Sequence, residues 1–400
     1  MGKYNFDRYI ERRGTDSSKW DGFESRFPGY NASDALPMWV ADMDFTAPDE
    51  VIDVLKKKAA FGIYGYPAPK GKSFDDAFIR WVKKRHDLDM MAESLVITQG
   101  VVPAITYAVQ AFTNEGDGVL IQPPVYYPFK DRCITYNKRK AIESPLIEKD
   151  GSYTIDFEDF ERKARDENTK LFILCSPHNP VGRVWTEAEL RRIVEICQKH
   201  HVLIFSDEIH SDLVMEGFKH TPTLKIAGTE NIITAYAASK TFNLAGLRTS
   251  IVVIPDESIR AKYMAQIRAD EAAGLNLFGL PATEAAYTYG EDYLQELLAY
   301  IGANIQYAAE YIKENIPNVA VSRTEGTYFL WIDFRKTGLT PDEINRKLLE
   351  QAKVAGDLGG WFGKEGEGFI RLNLACPRSI VEEALKRIES VFGNERRFGG

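Results

Sequence analysis

The sequence predicts an α/β protein in which a mainly parallel sheet lies between helices, with a smaller α+β unit beside it. From about residue 95 to 255, short apolar runs alternate with helical patterns. Continuous apolar strands separated by helices are typical of a parallel sheet that is covered on both faces. From about residue 290 onward, long amphipathic patterns flank one short strand pattern, which indicates the second unit.

The strands of the large unit are predicted from short runs that are rich in β-branched or other apolar residues. These runs are residues 95–98, 119–121, 171–174, 202–205, 232–234 and 251–254. Between the third and fourth runs, Thr186 and Glu189 have the spacing of a capping box, which predicts the start of a helix. Ligands of parallel sheets bind beyond the carboxyl ends of the strands, so we expect a site in the loops that follow these runs.

The smaller unit is predicted from helical patterns at residues 293–314 and 380–391 and from a strand pattern at residues 328–332. We place the large unit at residues 46–289, and the small unit at residues 1–45 together with residues 290–400. Because no Pro/Ser-rich linker separates them, we expect the two units to pack closely.

The composition is that of an ordinary globular protein, with 44% hydrophobic and 27% charged residues among 400. The formal net charge is −8 and the Lys and Arg residues are scattered, which argues against a nucleic-acid partner. The N-terminus lacks a signal-peptide core, and no apolar run approaches the roughly 20 residues of a membrane span. The four cysteines are far apart, so we expect reduced thiols in a cytoplasmic protein and assign no metal site.

Lys240 is the first candidate site residue. It stands just past the predicted strand at residues 232–234, in a run of small and apolar residues that ends at Arg248. Poorly solvated surroundings lower the pKa of an ammonium group and make its amine able to form Schiff bases. Ser239 and Arg248 supply donors of the kind that bind a phosphate. The alternative is an ordinary surface lysine in a loop.

The loops after the first two strands carry further candidates. Gly100 precedes a helical pattern, where exposed backbone N–H groups at the positive end of the helix dipole bind anions. A plain helix cap is the alternative there. Tyr126 and Tyr127 lie among prolines, which stiffen the loop and suit it to stacking on a flat heterocycle. Packing of both rings under the loop is the alternative.

The loops after the next two strands add an amide and an acid. Asn179 lies between two prolines, and its amide can donate to an oxygen anion, although a turn-forming Asn is the alternative. Asp207 closely follows an apolar run, where burial of an acid is costly. An ion pair with a protonated ring nitrogen would explain the position of Asp207; a helix-capping Asp is the alternative.

Together these loops supply a nucleophilic amine, phosphate-binding donors, a stacking ring, a donor to an oxygen anion and an acid for a pyridinium nitrogen. Pyridoxal 5′-phosphate needs all five groups. The sequence therefore predicts this cofactor, held covalently on Lys240.

Over essentially its full length the chain resembles the fold-type I aminotransferase superfamily of classes I and II. Within it, the chain resembles the C–S lyase branch of MalY/PatB/cystalysin-like cystathionine β-lyases. The resemblance is carried by residues 38–45, 124–129, 176–183, 206–213 and 237–248. It implies the PLP-dependent transferase-like fold of type I, with a sheet of the seven-stranded type.

The resemblance also implies roles for the candidate residues. Lys240 would be the Schiff-base lysine, and Asp207 would lie at the pyridine nitrogen. Asn179 would contact the ring hydroxyl and Tyr126 the ring face. The residues implied around the phosphate are Gly100, Val101, Val102, Ser239 and Arg248.

Further positions match substrate and subunit contacts of the family. Arg371 matches the arginine that binds the substrate α-carboxylate, a task that suits a guanidinium fork, with an exposed salt bridge as the alternative. Tyr66 matches a tyrosine that reaches the phosphate of the neighbouring subunit, so the resemblance implies a homodimer with shared active sites. The pocket that selects the substrate side chain is assigned to Trp39, Ala41, Tyr127 and Trp361.

His210 favours a lyase over an aminotransferase. The resemblance implies that His210 lies at the cofactor oxygen, where aminotransferases usually carry a tyrosine and the lyase branch carries histidine. Ala237 stands where serine is frequent, and Arg248 is present although some of the lyases lack an arginine there. The phosphate site is therefore expected to differ in detail from those of the relatives.

The reaction implied is the α,β-elimination of L-cystathionine or L-cysteine-type thioethers, as in a cystathionine β-lyase. The products would be pyruvate, ammonia and a thiol, either homocysteine or sulfide. An aminotransferase that uses the same lysine, aspartate and arginine is the first alternative. A regulatory protein that uses this fold to bind a partner is the second, although the chain has no helix-turn-helix pattern and no basic face for DNA.

Overall fold

A sheet of seven strands forms the centre of the computed structural model, which describes residues 2–31 and 33–393. In spatial order its strands are Leu95–Thr98, Ser250–Val253, Ile232–Tyr236, Leu203–Asp207, Thr169–Cys175, Gly118–Ile121 and Lys140–Glu143. Of these strands, Ser250–Val253 alone runs opposite to the other six, so its pairings with Leu95–Thr98 and Ile232–Tyr236 are antiparallel and the remaining pairings are parallel. The predicted mainly parallel sheet is confirmed.

Both faces of the sheet are buried. Phe172 and Leu174 pack into one apolar cluster, whereas Leu171 and Ile173 of the same strand pack into another, because successive side chains of a strand point to opposite faces. Helix Val101–Phe112 contributes to the second cluster. A parallel sheet covered in this way explains why its strands are apolar along their whole length.

Helices surround the sheets of the fold. The α-helices of the described residues are Phe23–Arg26, Asp49–Phe61, Lys72–His86, Val101–Phe112, Phe157–Ala164, Glu187–Lys199, Thr223–Ala227, Ala238–Thr241, Glu257–Ala269, Gly279–Tyr289, Glu291–Asn315, Pro341–Arg346 and Arg378–Phe392. Single π-helical turns occur at Phe129–Ile134 and Lys347–Ala352. The capping box before Glu187–Lys199 is confirmed, since the Glu189 N–H donates to Thr186 Oγ1 at 3.2 Å and the Thr186 N–H donates to Glu189 Oε2 at 2.8 Å. Within the described ranges, no helix combines the length and the apolar composition needed to cross a membrane.

An antiparallel sheet of four strands forms a second layer, in the order Ala320–Val321, Phe329–Asp333, Phe369–Asn373 and Asp357–Leu358. All four strands lie in the segment predicted for the small unit. The strand predicted at residues 328–332 is shifted by one residue. The domain boundaries themselves stay a prediction, and residues 1, 32 and 394–400 of the predicted small unit lie outside the described residues.

Two short pairings complete the fold. Leu36–Pro37 runs parallel to Val354–Ala355, which ties the N-terminal segment to the small sheet region. Leu146–Lys149 and Ser152–Ile155 form a hairpin. All four cysteines are buried and unpaired, as the sequence predicted.

The strand at Leu203–Asp207 extends two residues beyond the run predicted for it. Asp207 is therefore the last residue of the strand, in register with Cys175 and Ala235 of the neighbouring strands. Glu208 follows, and its N–H donates to the Ala235 carbonyl oxygen at 3.0 Å. These acidic residues continue the strand pairing despite their polar side chains, because main-chain groups at the centre of the sheet need hydrogen-bond partners.

The Glu208 carboxylate is fully buried and satisfied on all sides. It accepts hydrogen bonds from Tyr236 Oη at 2.7 Å, from the Thr223 N–H at 2.8 Å, and from Ser206 Oγ at 3.0 Å. His220 Nε2 lies 2.9 Å away and can donate a fourth. Burial acts to raise the pKa of Glu208, but the charge and hydrogen bond of His220, with the other donors, hold it below its usual value.

Glu208→Ala is therefore expected to destabilise the fold by about 3–5 kcal/mol, because it leaves several buried polar groups without their acceptor. Chemical denaturation followed by circular dichroism measures the change. Glu195→Ala, at an exposed position of helix Glu187–Lys199, is the matched control, with an expected change within about 0.5 kcal/mol. Equal stabilities of the two variants would contradict a structural role for the Glu208 carboxylate.

Candidate active site

An inner cavity of about 360 Å³ lies beyond the carboxyl ends of the central strands, where the topology of parallel sheets predicts a ligand. Its wall brings together most of the candidate residues from distant parts of the sequence. Those that line it are Ala41, Gly100, Val101, Val102, Tyr126, Asn179, Asp207, His210, Ser239, Lys240 and Arg248.

An outer cavity of about 610 Å³ adjoins the first and shares Ala41, Tyr126 and Lys240 with it. The outer cavity is also lined by residues predicted to contact the substrate, namely Trp39, Tyr127 and Arg371. Trp361 lies behind Tyr127, with its ring centroid 6.1 Å from the Tyr127 ring. The two cavities thus place the predicted cofactor and substrate groups on either side of Lys240.

Tyr66 differs from the other candidates. Its side chain is fully exposed, in the segment between helices Asp49–Phe61 and Lys72–His86, and it lines neither cavity. A single chain therefore does not bring Tyr66 to the site, and its contact with a neighbouring subunit stays a prediction.

Lys240 is partly buried at the junction of the two cavities. Its Nζ donates to the Ala41 carbonyl oxygen at 2.7 Å. Burial lowers the pKa of Lys240 from its ordinary 10.5 to about 8. The Asp42 and Asp207 carboxylates oppose this shift, whereas the positive charge of Arg371 adds to it. A fraction of the amine is therefore unprotonated near neutral pH, as a nucleophile or base requires.

The Asp207 carboxyl is buried at the end of the central strand. Burial raises its pKa to about 7, although the Ile209 N–H, which donates to Oδ1 at 3.1 Å, and the charge of Lys240 act in the opposite direction. A cation beside such a carboxyl favours its ionised form. A protonated ring nitrogen of a bound cofactor would supply that cation.

Asn179 and His210 add polar groups to the inner cavity. Asn179 Oδ1 accepts a hydrogen bond from Arg371 Nη1 at 2.7 Å, so its Nδ2 is the donor left for a ligand. His210 is buried, and its Nδ1 has no hydrogen-bond partner within the described residues. Burial, with the charges of Lys240 and Arg371, lowers the pKa of His210 well below its usual value, which keeps the imidazole neutral.

The anion-binding corner of the inner cavity is the N-terminal turn of helix Val101–Phe112. Gly100 caps this helix with φ of 125°, a conformation that is strained for a residue with a Cβ atom. The turn lies beside Ser239 and Arg248, and free N–H groups at a helix N-terminus bind phosphate. The inner cavity therefore fits a flat heteroaromatic aldehyde that carries a phosphate. Its lining supplies the groups that were predicted to bind pyridoxal 5′-phosphate.

Arg371 is buried, with 2% of its side chain exposed, so an exposed salt bridge is excluded. Its Nη2 donates to the Trp39 carbonyl oxygen at 3.0 Å and also to the Asp357 carboxylate. The guanidinium carbon lies 4.0 Å from the ring centroid of Phe329 and 5.0 Å from that of Phe362. These contacts fix the plane of the guanidinium at the edge of the outer cavity.

The sequence did not indicate three residues that complete the site. Tyr328 donates through its hydroxyl to the Ala41 carbonyl oxygen at 3.0 Å. Asn243 accepts from the Met43 N–H at 3.0 Å and donates to the Met43 carbonyl oxygen at 2.9 Å. Asp357 contacts Arg371. Asn243 lies three residues after Lys240, and this closeness to the candidate lysine could have indicated it. Asp357 lies among glycines, where no apolar periodicity indicates a strand or a functional residue.

Comparisons with known proteins agree with this geometry. The model of the family "Aminotransferase class I and II" matches residues 36–388. Cystathionine beta-lyase PatB of Bacillus subtilis (strain 168) is 43% identical over 388 residues, which cover 96% of this chain and 99% of PatB.

Two solved structures are similar over nearly the whole chain. A PLP-bound protein from Clostridium difficile 630 has a TM-score of 0.93 and 44% identity, with 97% of this chain and 100% of that chain covered. Cystalysin from Treponema denticola, which contains a pyridoxal 5′-phosphate cofactor, has a TM-score of 0.92 and 38% identity, with 97% and 98% covered. The chain therefore belongs to the aminotransferase class I and II family, in the branch that includes PatB and cystalysin.

Proposed function

We propose that the chain is a pyridoxal 5′-phosphate-dependent carbon–sulfur lyase. It cleaves L-cystathionine or L-cysteine-type thioethers by α,β-elimination and releases pyruvate, ammonia and a thiol. The observation that carries the proposal is the position of the Lys240 amine, which has a lowered pKa and lies at the junction of a cavity that contains Asp207 and a cavity that contains Arg371. The similarity to PatB and cystalysin supports the choice of a lyase.

The inner cavity holds the cofactor in this proposal. Tyr126 would cover the ring face, Asp207 would pair with the ring nitrogen, and Asn179 would donate to the ring oxygen. The groups that bind the phosphate are Gly100, Val101, Val102, Ser239 and Arg248. When bound, the cofactor supplies an aldehyde for the amino group and an electron-accepting ring that acidifies the substrate Cα–H bond.

The residues of the chain supply binding and proton transfer. Arg371 binds the substrate α-carboxylate at the edge of the outer cavity. Lys240 Nζ removes the Cα proton, because its lowered pKa leaves a fraction of the amine unprotonated near neutral pH. The thiolate leaves from Cβ into the outer cavity, towards Trp39 and Tyr127. Hydrolysis of the remaining three-carbon unit gives pyruvate and ammonia.

His210 favours elimination over transamination in this proposal. A neutral imidazole, whose Nδ1 has no hydrogen-bond partner in the described part of the chain, lines the inner cavity. It lies at the position where the aminotransferases that the chain resembles carry a tyrosine. An aminotransferase that uses the same lysine, aspartate and arginine is the second candidate function.

A homodimer with shared sites is part of the proposal. Phe61, Ile63, Tyr64 and Tyr66 form an exposed apolar run in one segment, and a second subunit would cover such a run. Four buried, unpaired cysteines are typical of a reducing compartment, which supports the cytoplasm.

The assay that tests the function is incubation of the purified holoprotein with L-cystathionine and no added keto acid. A lyase is expected to release pyruvate, ammonia and homocysteine in equal amounts, because elimination needs no amino-group acceptor. A transaminase forms no product until a keto acid is added. Product that appears only after this addition would contradict the lyase assignment and favour the second candidate.

Lys240→Ala is expected to reduce lyase turnover by at least about 10²–10⁴-fold, since it removes both the general base and the covalent anchor. Pyruvate release at saturating cofactor measures the effect. Lys336→Ala, at an exposed position remote from both cavities, is the control and should retain full activity. Appreciable turnover by the Lys240→Ala variant would remove Lys240 from the reaction.

The pH dependence of cofactor capture tests the lowered pKa of Lys240. The unprotonated amine reacts with the aldehyde, so the capture rate of the apoprotein should rise with pH up to about 8 and level off above it. The visible absorption of the bound cofactor, followed after mixing, gives this rate. A rate that continues to rise up to pH 10.5, the ordinary pKa of lysine, would contradict the lowered pKa of Lys240.

A further inference from the structure

Arg371 pairs with a carboxylate of the chain itself. Asp357 lies directly opposite Arg371 in the register of two antiparallel strands, and its Oδ2 accepts a hydrogen bond from Arg371 Nη2. Both side chains are 2% exposed, and both residues line the outer cavity. The group proposed to bind the substrate carboxylate is thus already neutralised by a buried acid of the chain.

The pair is incompletely satisfied. Asp357 Oδ1 and Arg371 Nε are both buried, and neither has a hydrogen-bond partner within the described residues. Arg371 Nη1 is engaged by Asn179 and Nη2 by Trp39, which prevents the guanidinium from turning to close these gaps. One buried acceptor and one buried donor therefore remain next to the outer cavity.

The outer cavity that Asp357 lines also carries the charged side chains of Arg12, Asp16, Asp42, Arg132 and Lys240. Arg371 faces Asp357 from the neighbouring strand, and the Arg26 guanidinium acts on it from helix Phe23–Arg26. The charge of Asp357 acts to raise the pKa of the Tyr126 and Tyr127 phenols. Burial raises the pKa of Asp357, although Arg371 and Arg26 act in the opposite direction.

A substrate carboxylate that binds to Arg371 adds a second anion to one guanidinium. Two ionised carboxylates in one buried site repel each other, so one of them takes up a proton. Asp357 is the group placed to do so, because its Oδ1 has no hydrogen-bond partner among the described residues that protonation would displace. Once neutral, Asp357 becomes a donor, and the full charge of Arg371 is available to the substrate.

We propose that Asp357 is a positioning residue for Arg371 and that it binds a proton from solvent when the carboxylate of an amino acid binds to Arg371. In the absence of substrate, ionised Asp357 holds the guanidinium in place. In the complex, protonated Asp357 donates a hydrogen bond and leaves Arg371 to pair with the substrate. The inference rests on the proposed role of Arg371 in the lyase reaction.

The test measures proton uptake when L-alanine binds to the holoprotein. L-Alanine offers the amine and the α-carboxylate but has no leaving group at Cβ, so elimination does not follow. Calorimetric titrations in buffers of different ionisation enthalpy give the number of protons bound, and the visible spectrum of the cofactor reports binding. Ethylamine, which has the amine but no carboxylate, corrects for protons exchanged at the amine and at Lys240.

The expected difference between L-alanine and ethylamine is an uptake of up to about one proton per site, at pH values above the pKa of Asp357 in the substrate-free protein and below its pKa in the complex. Asp357→Asn should reduce this difference to about zero and remove the corresponding part of the pH dependence of the Kd for L-alanine. Asp333→Asn, in another carboxylate–arginine pair of the same small sheet, should leave the proton count unchanged.

The outcomes separate this inference from the proposed function. L-Alanine binding without extra proton uptake in the unaltered protein would overturn the inference and leave the lyase proposal intact. An Asp357→Asn variant that binds L-alanine more weakly by the same factor at every pH would show a purely structural pair and would also overturn it. Failure of L-alanine to change the cofactor spectrum, in a protein that releases pyruvate from L-cystathionine, would overturn the inference alone. Failure of both measurements would overturn both proposals.

Discussion

The site depends on one irregular segment, residues 39–45, whose main-chain carbonyl groups are bound by side chains from both layers of the fold. Arg371 donates to the Trp39 carbonyl oxygen, and Asn373 donates to that of Val40 at 2.6 Å. Lys240 and Tyr328 share the carbonyl oxygen of Ala41. Buried carbonyl groups need partners, and here these partners are the functional side chains themselves.

The segment therefore connects two parts of the site that come from different sheets. The loop that carries Lys240 follows a strand of the central sheet, whereas Arg371 belongs to the small sheet. Asn243 binds the segment on the first side and Asn373 on the second. Buried ion pairs fix its acidic end, since Asp44 is paired with both Arg12 and Lys19. The geometry of amine and guanidinium is set by a piece of backbone that belongs to neither sheet.

Much of this arrangement could be predicted from the sequence, because the central strands are apolar along their length and their loops carry unusual polar residues. The strand Lys140–Glu143 escaped prediction since it lies at the edge of the sheet and has only two apolar residues, between a charged residue at each end. Asp207 was predicted to follow its strand because an acidic side chain is unusual within a buried strand. Its main chain nevertheless pairs with both neighbouring strands. The Asp357–Arg371 pair depends on the register of two strands, and a register between distant segments leaves no local pattern.

The acceptor shared by Lys240 and Tyr328 is a peptide oxygen, and this decides how the site tolerates change. Replacement of the Ala41 side chain leaves that oxygen where it is, so point substitution at position 41 does not erase the contact. Insertion or deletion of one residue between the anchors would present a different carbonyl to each donor. Among descendants of this chain, the length of the segment is therefore more tightly constrained than the identity of its side chains.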